Sequence, residues 1–512
     1  MLAKSYGCAV FGIDASIITI EANVCAGTKR FMVGLPDNAV KESWSRIESA
    51  LKYSGYTMPR SRIILNLAPA DIKKEGSAYD LPIALSLMKA SGQLDTDLLE
   101  KFVIMGELSL DGQLRPIKGA LPIAILARKS GFKGLILPKE NGMEAAIVNN
   151  LDVMGVSNIQ EAVGLLCSEN EIKPININTR ELFFDQIEDF GFDFKEVQGQ
   201  ENIKRALEIA AAGSHNAIMI GSPGSGKTML AKRLPSILPP LNLHEALETT
   251  KIHSVAGKLG TNATLISRRP FRSPHHTISD IALVGGGAFP QPGEISLAHN
   301  GVLFLDELPE FKRTVLEVMR QPLEERKVTI SRAKFTLDYP ANFMLIASMN
   351  PCPCGFYNHP DKDCVCTPDQ VHRYLNKISG PLLDRIDLHV EVTPVSFDEM
   401  ASIRSNEASQ EIRNRVISAR EIQIERFKNE QSIYSNAMMP PQMVKEICLV
   451  NKAGLNLLRT AMEKLDLSAR AYDRILKVSR TIADLAESKD IRIEHLAEAI
   501  QYRSLDREGW IA

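Results

Sequence analysis

Short apolar runs alternate with amphipathic ones from Ala9 to about Cys167. Ile17-Ile18-Thr19-Ile20 and Arg62-Ile63-Ile64-Leu65-Asn66-Leu67 have the length and β-branched content of strands, and Val40 to Tyr53 has helical spacing. Asp80 is expected to cap a second helix near Leu81, with Pro82 in its first turn. Gly34-Leu35-Pro36-Asp37 and Leu110-Asp111-Gly112-Gln113 mark turns, the Asp-Gly pair favouring a tight hairpin. These signals describe an α/β or α+β unit. Polar residues from about Asn170 to Phe194 read as a linker. Beyond it, Ala217-Ile218-Met219-Ile220 and Val302-Leu303-Phe304-Leu305 read as buried strands, with a helix from Met229, the alternation of a parallel sheet. After about Pro394 the strand signals stop, and Ser396 to Asn429, Pro441 to Leu465 and Ala469 to Glu487 carry helical periodicity. The predicted division is 1–175, 176–395 and 396–512.

Length supports that division, since 512 residues at roughly 150 per domain give about three domains. With 44% hydrophobic and 24% charged residues the chain has globular composition, and a formal charge of -2 excludes an indiscriminate polycation. No apolar run approaches the roughly 20 residues that span a bilayer. Asp14 and Glu21 interrupt the amino-terminal apolar stretch where a signal peptide needs continuity, so a cytoplasmic protein is expected.

Chemistry concentrates after the first buried strand of the second unit. Gly221-Ser222-Pro223-Gly224-Ser225-Gly226-Lys227-Thr228 fits the G-x-x-x-x-G-K-[ST] phosphate loop and stands between a strand and a helix. Its backbone N–H groups can cradle the phosphates of ATP, Lys227 reach the β- and γ-phosphates, and Thr228 ligate Mg²⁺. Leu303-Phe304-Leu305-Asp306-Glu307 is an apolar strand ending in two carboxylates, Asp306 suited to the Mg²⁺ shell and Glu307 to the attacking water. A third strand, Phe343 to Ser348, leads to Asn350, whose amide can sit beside the γ-phosphate.

This order resembles the AAA+ ATPases, in which Asn350 matches the polar sensor. Ser379 to Leu388 resembles the arginine-finger segment of the Mg-chelatase-like branch, which implies that Arg385 serves the nucleotide of a neighbouring subunit. Leu467 to Arg474 resembles the second sensor, with Arg470 the better match and Arg474 one turn later. Gly34 to Ser43, Asn66 to Gly76, Gly106 to Gly112, Pro292 to Gly301 and Ser479 to Leu485 look like the Mg-chelatase-like competence protein family, ComM or YifB. The resemblance implies an AAA+ parallel-sheet α/β module, preceded by an α+β domain similar to Lon protease and ribosomal S5, and followed by an α-helical lid. It also implies a homo-oligomer, a hexamer, working as a DNA helicase in branch migration during homologous recombination of incoming DNA in natural transformation.

Two rivals come with that resemblance. Lon proteolysis needs a Ser and Lys dyad, and ungapped matching puts Ala78 and Leu121 at those places, with Ser77 and Lys118 within a short slip. Metal insertion into a porphyrin is the work of Mg-chelatase, but Asp14-Ala15-Ser16-Ile17-Ile18 lacks the second serine of its metal-binding motif. A DNA motor needs a basic feature facing the strand. Arg326 to Leu337 reads as two short strands about a basic tip, with Arg332 and Lys334 as the contacts. Arg268 to His276 is a second basic stretch, either a solvated loop or a DNA contact. His275 and His276, read as strand neighbours, are expected on opposite faces and so make a poor pair of metal ligands. With 6% aromatic residues, backbone tracking without sequence preference is expected. Finally, Cys352-Pro353-Cys354 and Cys364-Val365-Cys366 supply four soft ligands for a closed structural Zn²⁺ site in the loop 352–366, with His359 a substitute.

Overall fold

Leu2–Phe11 and Asp14–Cys25 pair as a long antiparallel hairpin whose alternate residues, Ile18, Ile20 and Ala22, are fully buried. The computed structural model describes residues 1–168, 172–179, 191–260, 265–287, 290–332, 335–359, 361–394, 406–430 and 433–503. The hairpin centres a seven-stranded mixed sheet ordered Arg30–Val33, Arg62–Ala68, Asp14–Cys25, Leu2–Phe11, Phe102–Ile104, Gly134–Pro138 and Asp152–Val156. The expected Asp-Gly turn joins the short antiparallel pair Glu107–Leu108 and Leu114–Arg115.

Asp80 departs from the expected capping role. It is the first residue of the helix Asp80–Ala90, and the cap position falls on Tyr79, which makes no side-chain cap bond. The Asp80 carboxylate is instead buried and accepts two hydrogen bonds from Arg46, at 2.7 and 2.9 Å. Burial outweighs that pairing and pushes Asp80 up to about 6.

By packing, the chain forms two units, 1–187 with 242–267, and 188–241 with 268–512. The helix Leu243–Val255 therefore packs with the first unit, although the sequence places it inside the phosphate-loop region. Asn242 and Glu245 open it with a reciprocal capping box. It lies on the helix Ala120–Lys129 and is tied there by Lys251 to Asp14 at 2.9 Å. The buried Glu144 accepts from the Leu121 N–H at 2.9 Å and from the Ser254 hydroxyl.

The second unit holds a five-stranded sheet, all parallel, ordered Phe271–Arg272, Val302–Leu305, Met344–Met349, Ala217–Gly221 and Leu388–Val392. Every residue of Val302–Leu305, Met344–Met349 and Ala217–Gly221 is buried, as an apolar run covered on both faces should be. The helices Ser409–Arg426, Lys452–Leu465, Ala469–Leu485 and Ile493–Gln501 bring Val416, Leu458, Ile475, Ile482 and Leu496 into the same core as Met219 and Phe304. The stretch expected as one helix from Pro441 to Leu465 breaks into Pro441–Ile447 and Lys452–Leu465, the latter capped by the Asn451 side chain. Among the described residues no helix is long and apolar enough to cross a membrane.

Candidate active site

The acidic strand and the phosphate-loop strand are not neighbours; Met344–Met349 lies between them. Registers Phe304 to Ile346 and Ala217 to Ile346 bring all three strands to one carboxyl edge, where Gly221, Asp306 and Asn350 emerge together. In a parallel sheet that edge is where ligands bind.

Gly226 has φ +85, a conformation that side chains rarely adopt, and this lets the loop turn into the helix Lys227–Arg233. The Lys227 ammonium donates to the carbonyls of Gly221 and Ser222 at 2.7 and 2.9 Å, and to Asn350 Oδ1 at 3.2 Å. Burial draws Lys227 below the ordinary lysine value, against the pull of Asp306 and Glu307. Thr228 Oγ1 donates to Asp306 Oδ2 at 2.7 Å, so the two oxygen donors expected for Mg²⁺ lie together. Ser348 donates to the other Asp306 oxygen. Ser348 went unnoticed in the sequence, although period-two alternation puts it on the face of Asn350.

Glu307 stands just beyond the strand with φ +54 and an exposed carboxylate. Its N–H is held by Asp306 Oδ1 at 3.2 Å, so the paired carboxylates diverge, one inward to Thr228 and one outward. His276 Nδ1 lies 3.7 Å from Glu307 Oε2. The two histidines do not take opposite faces, because the strand ends at Arg272 and the chain turns beyond it. Their ring centroids lie 4.1 Å apart with the planes tilted by 34°, and of the two His276 reaches the acidic pair.

Arg269 and Arg272 of that stretch serve the fold. Arg272 makes a bidentate pair with Glu294 at 2.6 and 2.7 Å, and Arg269 donates to the carbonyls of Pro239 and Asn300 at 2.7 and 2.8 Å. Lys327–Arg332 and Phe335–Pro340 form the expected antiparallel hairpin. Lys334 and the side chain of Arg332 lie outside the described residues.

Arg385 is buried, salt-bridged to Glu324 and bonded to the Pro381 carbonyl. The service to a neighbouring subunit that the family resemblance implies would require this pair to open. The two candidate second-sensor arginines divide: Arg470 is exposed and 3.8 Å from Asp384, whereas Arg474 is committed to the buried Asp387. Asp387 also takes the Asn216 N–H at 3.0 Å and faces His215 at 3.5 Å.

The four loop cysteines converge as expected, their sulfurs all within 4.8 Å of one another. Separations of 3.3, 3.7 and 3.5 Å among Cys352, Cys354 and Cys364 approach the roughly 3.8 Å edge of a zinc tetrathiolate with bonds of about 2.3 Å. The Gly355 N–H points at Cys352 Sγ, 3.2 Å away. Burial would raise the Cys354 thiol, but the N–H groups of Phe356 and Val365 prevail and hold it below its ordinary value. Soft donors in this geometry fit Zn²⁺, with Cys352, Cys354, Cys364 and Cys366 as ligands. His359 is not in that cluster; its Nδ1 accepts from the Asp361 N–H at 3.0 Å.

The cysteine loop also touches the phosphate loop. A Cβ on Gly355 would come within 2.4 Å of Pro223 Cδ, so only glycine fits against that turn. Stripping the metal is therefore expected to weaken ATP binding together with turnover, and zinc content measured beside the ATPase rate checks it. A fully stripped protein with an unchanged rate would remove this coupling.

In the first unit, Ser77 donates to Glu107, and the Lys118 methylenes lie along Gly257.

Comparison with known proteins agrees with this architecture. The model for magnesium chelatase subunit ChlI matches residues 193–400, a second ChlI model matches 20–141, and the ChlI C-terminal model matches 406–503. Competence protein ComM of Haemophilus influenzae is 43% identical over 99% of this chain and 98% of its own length. YifB of Escherichia coli K12 is 43% identical over 98% of this chain and 96% of its own length. A Lon protease of Protochlamydia amoebophila is 33% identical over 26% of this chain and 17% of its own length. The chain therefore belongs to the Mg-chelatase-like AAA+ family of ComM and YifB, with a Lon-like amino-terminal region.

Proposed function

We propose that the protein is a cytoplasmic ATP-driven, ring-forming DNA motor that moves branched or single-stranded DNA during recombination. The observation carrying the ATPase part is the convergence of Lys227, Thr228, Asp306, Glu307 and Asn350 on one sheet edge. Lys227 binds the β- and γ-phosphates of ATP, and Thr228 and Asp306 hold Mg²⁺, which supplies charge neutralisation. Glu307 orients and deprotonates the attacking water, and Asn350 fixes its position beside Lys227. Arg385 completes the site of the next subunit once released from Glu324, and Arg470 faces the nucleotide from the lid.

The DNA part is supported by the pairing of Lys327–Arg332 with Phe335–Pro340, whose connecting sequence is basic, and by likeness to a competence protein. A double Arg332→Ala, Lys334→Ala variant is expected to lose DNA stimulation of the ATPase while keeping the basal rate. In the wild type that stimulation should fall as salt rises, because phosphate contacts release counterions. An ATPase indifferent to every DNA form would move the reading to a protein or metallocofactor client, which the ChlI matches favour next.

A further inference from the structure

Asn350 stands where the sheet stops supporting the chain. The strand Met344–Met349 ends one residue before it, and Pro351 after it has no N–H to offer. The cysteine loop follows at once, with its first sulfur on Cys352. An amide that meets Lys227 at 3.2 Å and must also meet the water therefore needs a hold from outside its own strand.

The helix Pro368–Leu375 supplies one. Thr367 and Gln370 open it with a reciprocal capping box, so its direction is set one residue after Cys366. Val371, Tyr374 and Leu375 form its buried face, and Tyr374 is only 7% exposed. The Tyr374 hydroxyl is the hydrogen-bond partner of the Asn350 backbone, with Glu307, Glu310 and Cys352 close enough for their charges to act on it. Burial pushes the phenol far above its ordinary value, so it stays a neutral hydroxyl. The ring is held as well: the Lys377 ammonium lies 5.4 Å from its centroid and is tied to Glu310 at 3.2 Å. Tyr374, Asn350 and Glu307 line one open cavity of about 800 Å³, ample for the attacking water.

We infer that Tyr374 is a positioning residue of the ATPase site: its hydroxyl fixes the Asn350 backbone and so sets where the Asn350 amide meets Lys227 and the water. Asn350 and Tyr374 flank the segment that carries Cys352, Cys354, Cys364 and Cys366, so the same contact closes that segment on itself. This rests on Asn350 being the sensor.

The test is Tyr374→Phe, which keeps the ring and its packing and deletes the hydroxyl. Basal kcat for ATP is expected to fall about three- to ten-fold, with KM unchanged, because one hydrogen bond that orients the sensor is lost. In an Asn350→Ala background the same change should cost nothing further, since the hydroxyl acts through that amide. Amide hydrogen exchange gives a readout that does not depend on turnover. The Asn350 N–H should exchange about three- to ten-fold faster in Tyr374→Phe, while the strand Met344–Met349 keeps its protection. Wild-type kcat in Tyr374→Phe, a further loss in the Asn350→Ala background, or unchanged exchange at Asn350 would overturn the inference. An Asn350→Ala enzyme with normal turnover would instead overturn the assignment of the sensor, which separates the two failures.

Discussion

Glu307→Gln is expected to bind ATP with wild-type affinity and to lose turnover by about 10²- to 10⁴-fold. The amide keeps the size of the carboxylate but cannot take a proton from water. Binding should survive because the groups proposed to meet the nucleotide, Lys227 and Thr228, make no hydrogen bond to the Glu307 side chain; Thr228 bonds Asp306, whose second oxygen is occupied by Ser348. The divergence of the two neighbouring carboxylates makes the experiment specific. Asp306→Asn should behave differently, weakening Mg²⁺-dependent nucleotide binding as well as kcat. Rapid-quench turnover beside equilibrium binding of a fluorescent ATP analogue separates the outcomes. Normal turnover in Glu307→Gln would remove it as the base.

The second large effect lies away from the nucleotide. Asp387→Ala is expected to destabilise the protein by about 3–5 kcal/mol, because it leaves buried cations without their counter-charge. The carboxylate faces Arg474 and His215 directly, and the charges of the half-buried Arg326 and Lys477 also act on this site. Burial alone would raise Asp387, but Arg474 and the other cations hold it far below the usual carboxylate range. A depressed carboxyl contributes stability that is present above its unfolded value, near 3.9, and is lost as pH falls below it. Lys477, pulled down to about 8 by burial, works oppositely: its charging penalty is relieved as pH rises from about 8 toward 10.5. Denaturant unfolding of wild type and Asp387→Ala at pH 4 and pH 7 checks this. The gap between them should be largest at pH 7, and equal midpoints at that pH would contradict the buried-charge account. Since Arg474 is on Ala469–Leu485 and Asp387 precedes Leu388–Val392, the pair also fastens the lid helix to the motor sheet.

Local patterns in the sequence carried the phosphate loop, the acidic pair and Asn350, because each motif sits where an apolar strand stops and its chemistry is set within a few residues. The four-cysteine cluster was legible for the same reason. Long-range pairing was not. Nothing in the periodicity of Leu243–Val255 tells which core its apolar face will join, and it joined Ala120–Lys129. Spacing put Arg470 and Arg474 on one helix face, and only the resemblance favoured Arg470. Only the fold, by bringing Asp387 under the helix, commits Arg474 to a structural pair and leaves Arg470 exposed. The place of His276 beside Glu307 was not legible, because it depends on where a turn after a two-residue strand delivers the ring. Asp80 shows the reverse error: a good capping residue by type was taken inward by Arg46.

Hydrolysis at this site is expected to move DNA. The most direct measurement is displacement of a labelled strand from a branched DNA by the wild-type protein with ATP, with a non-hydrolysable analogue, and by Glu307→Gln with ATP. The account predicts displacement only in the first case, with DNA still bound in the other two. Equal displacement in all three, or none by an enzyme that hydrolyses ATP briskly, would contradict it.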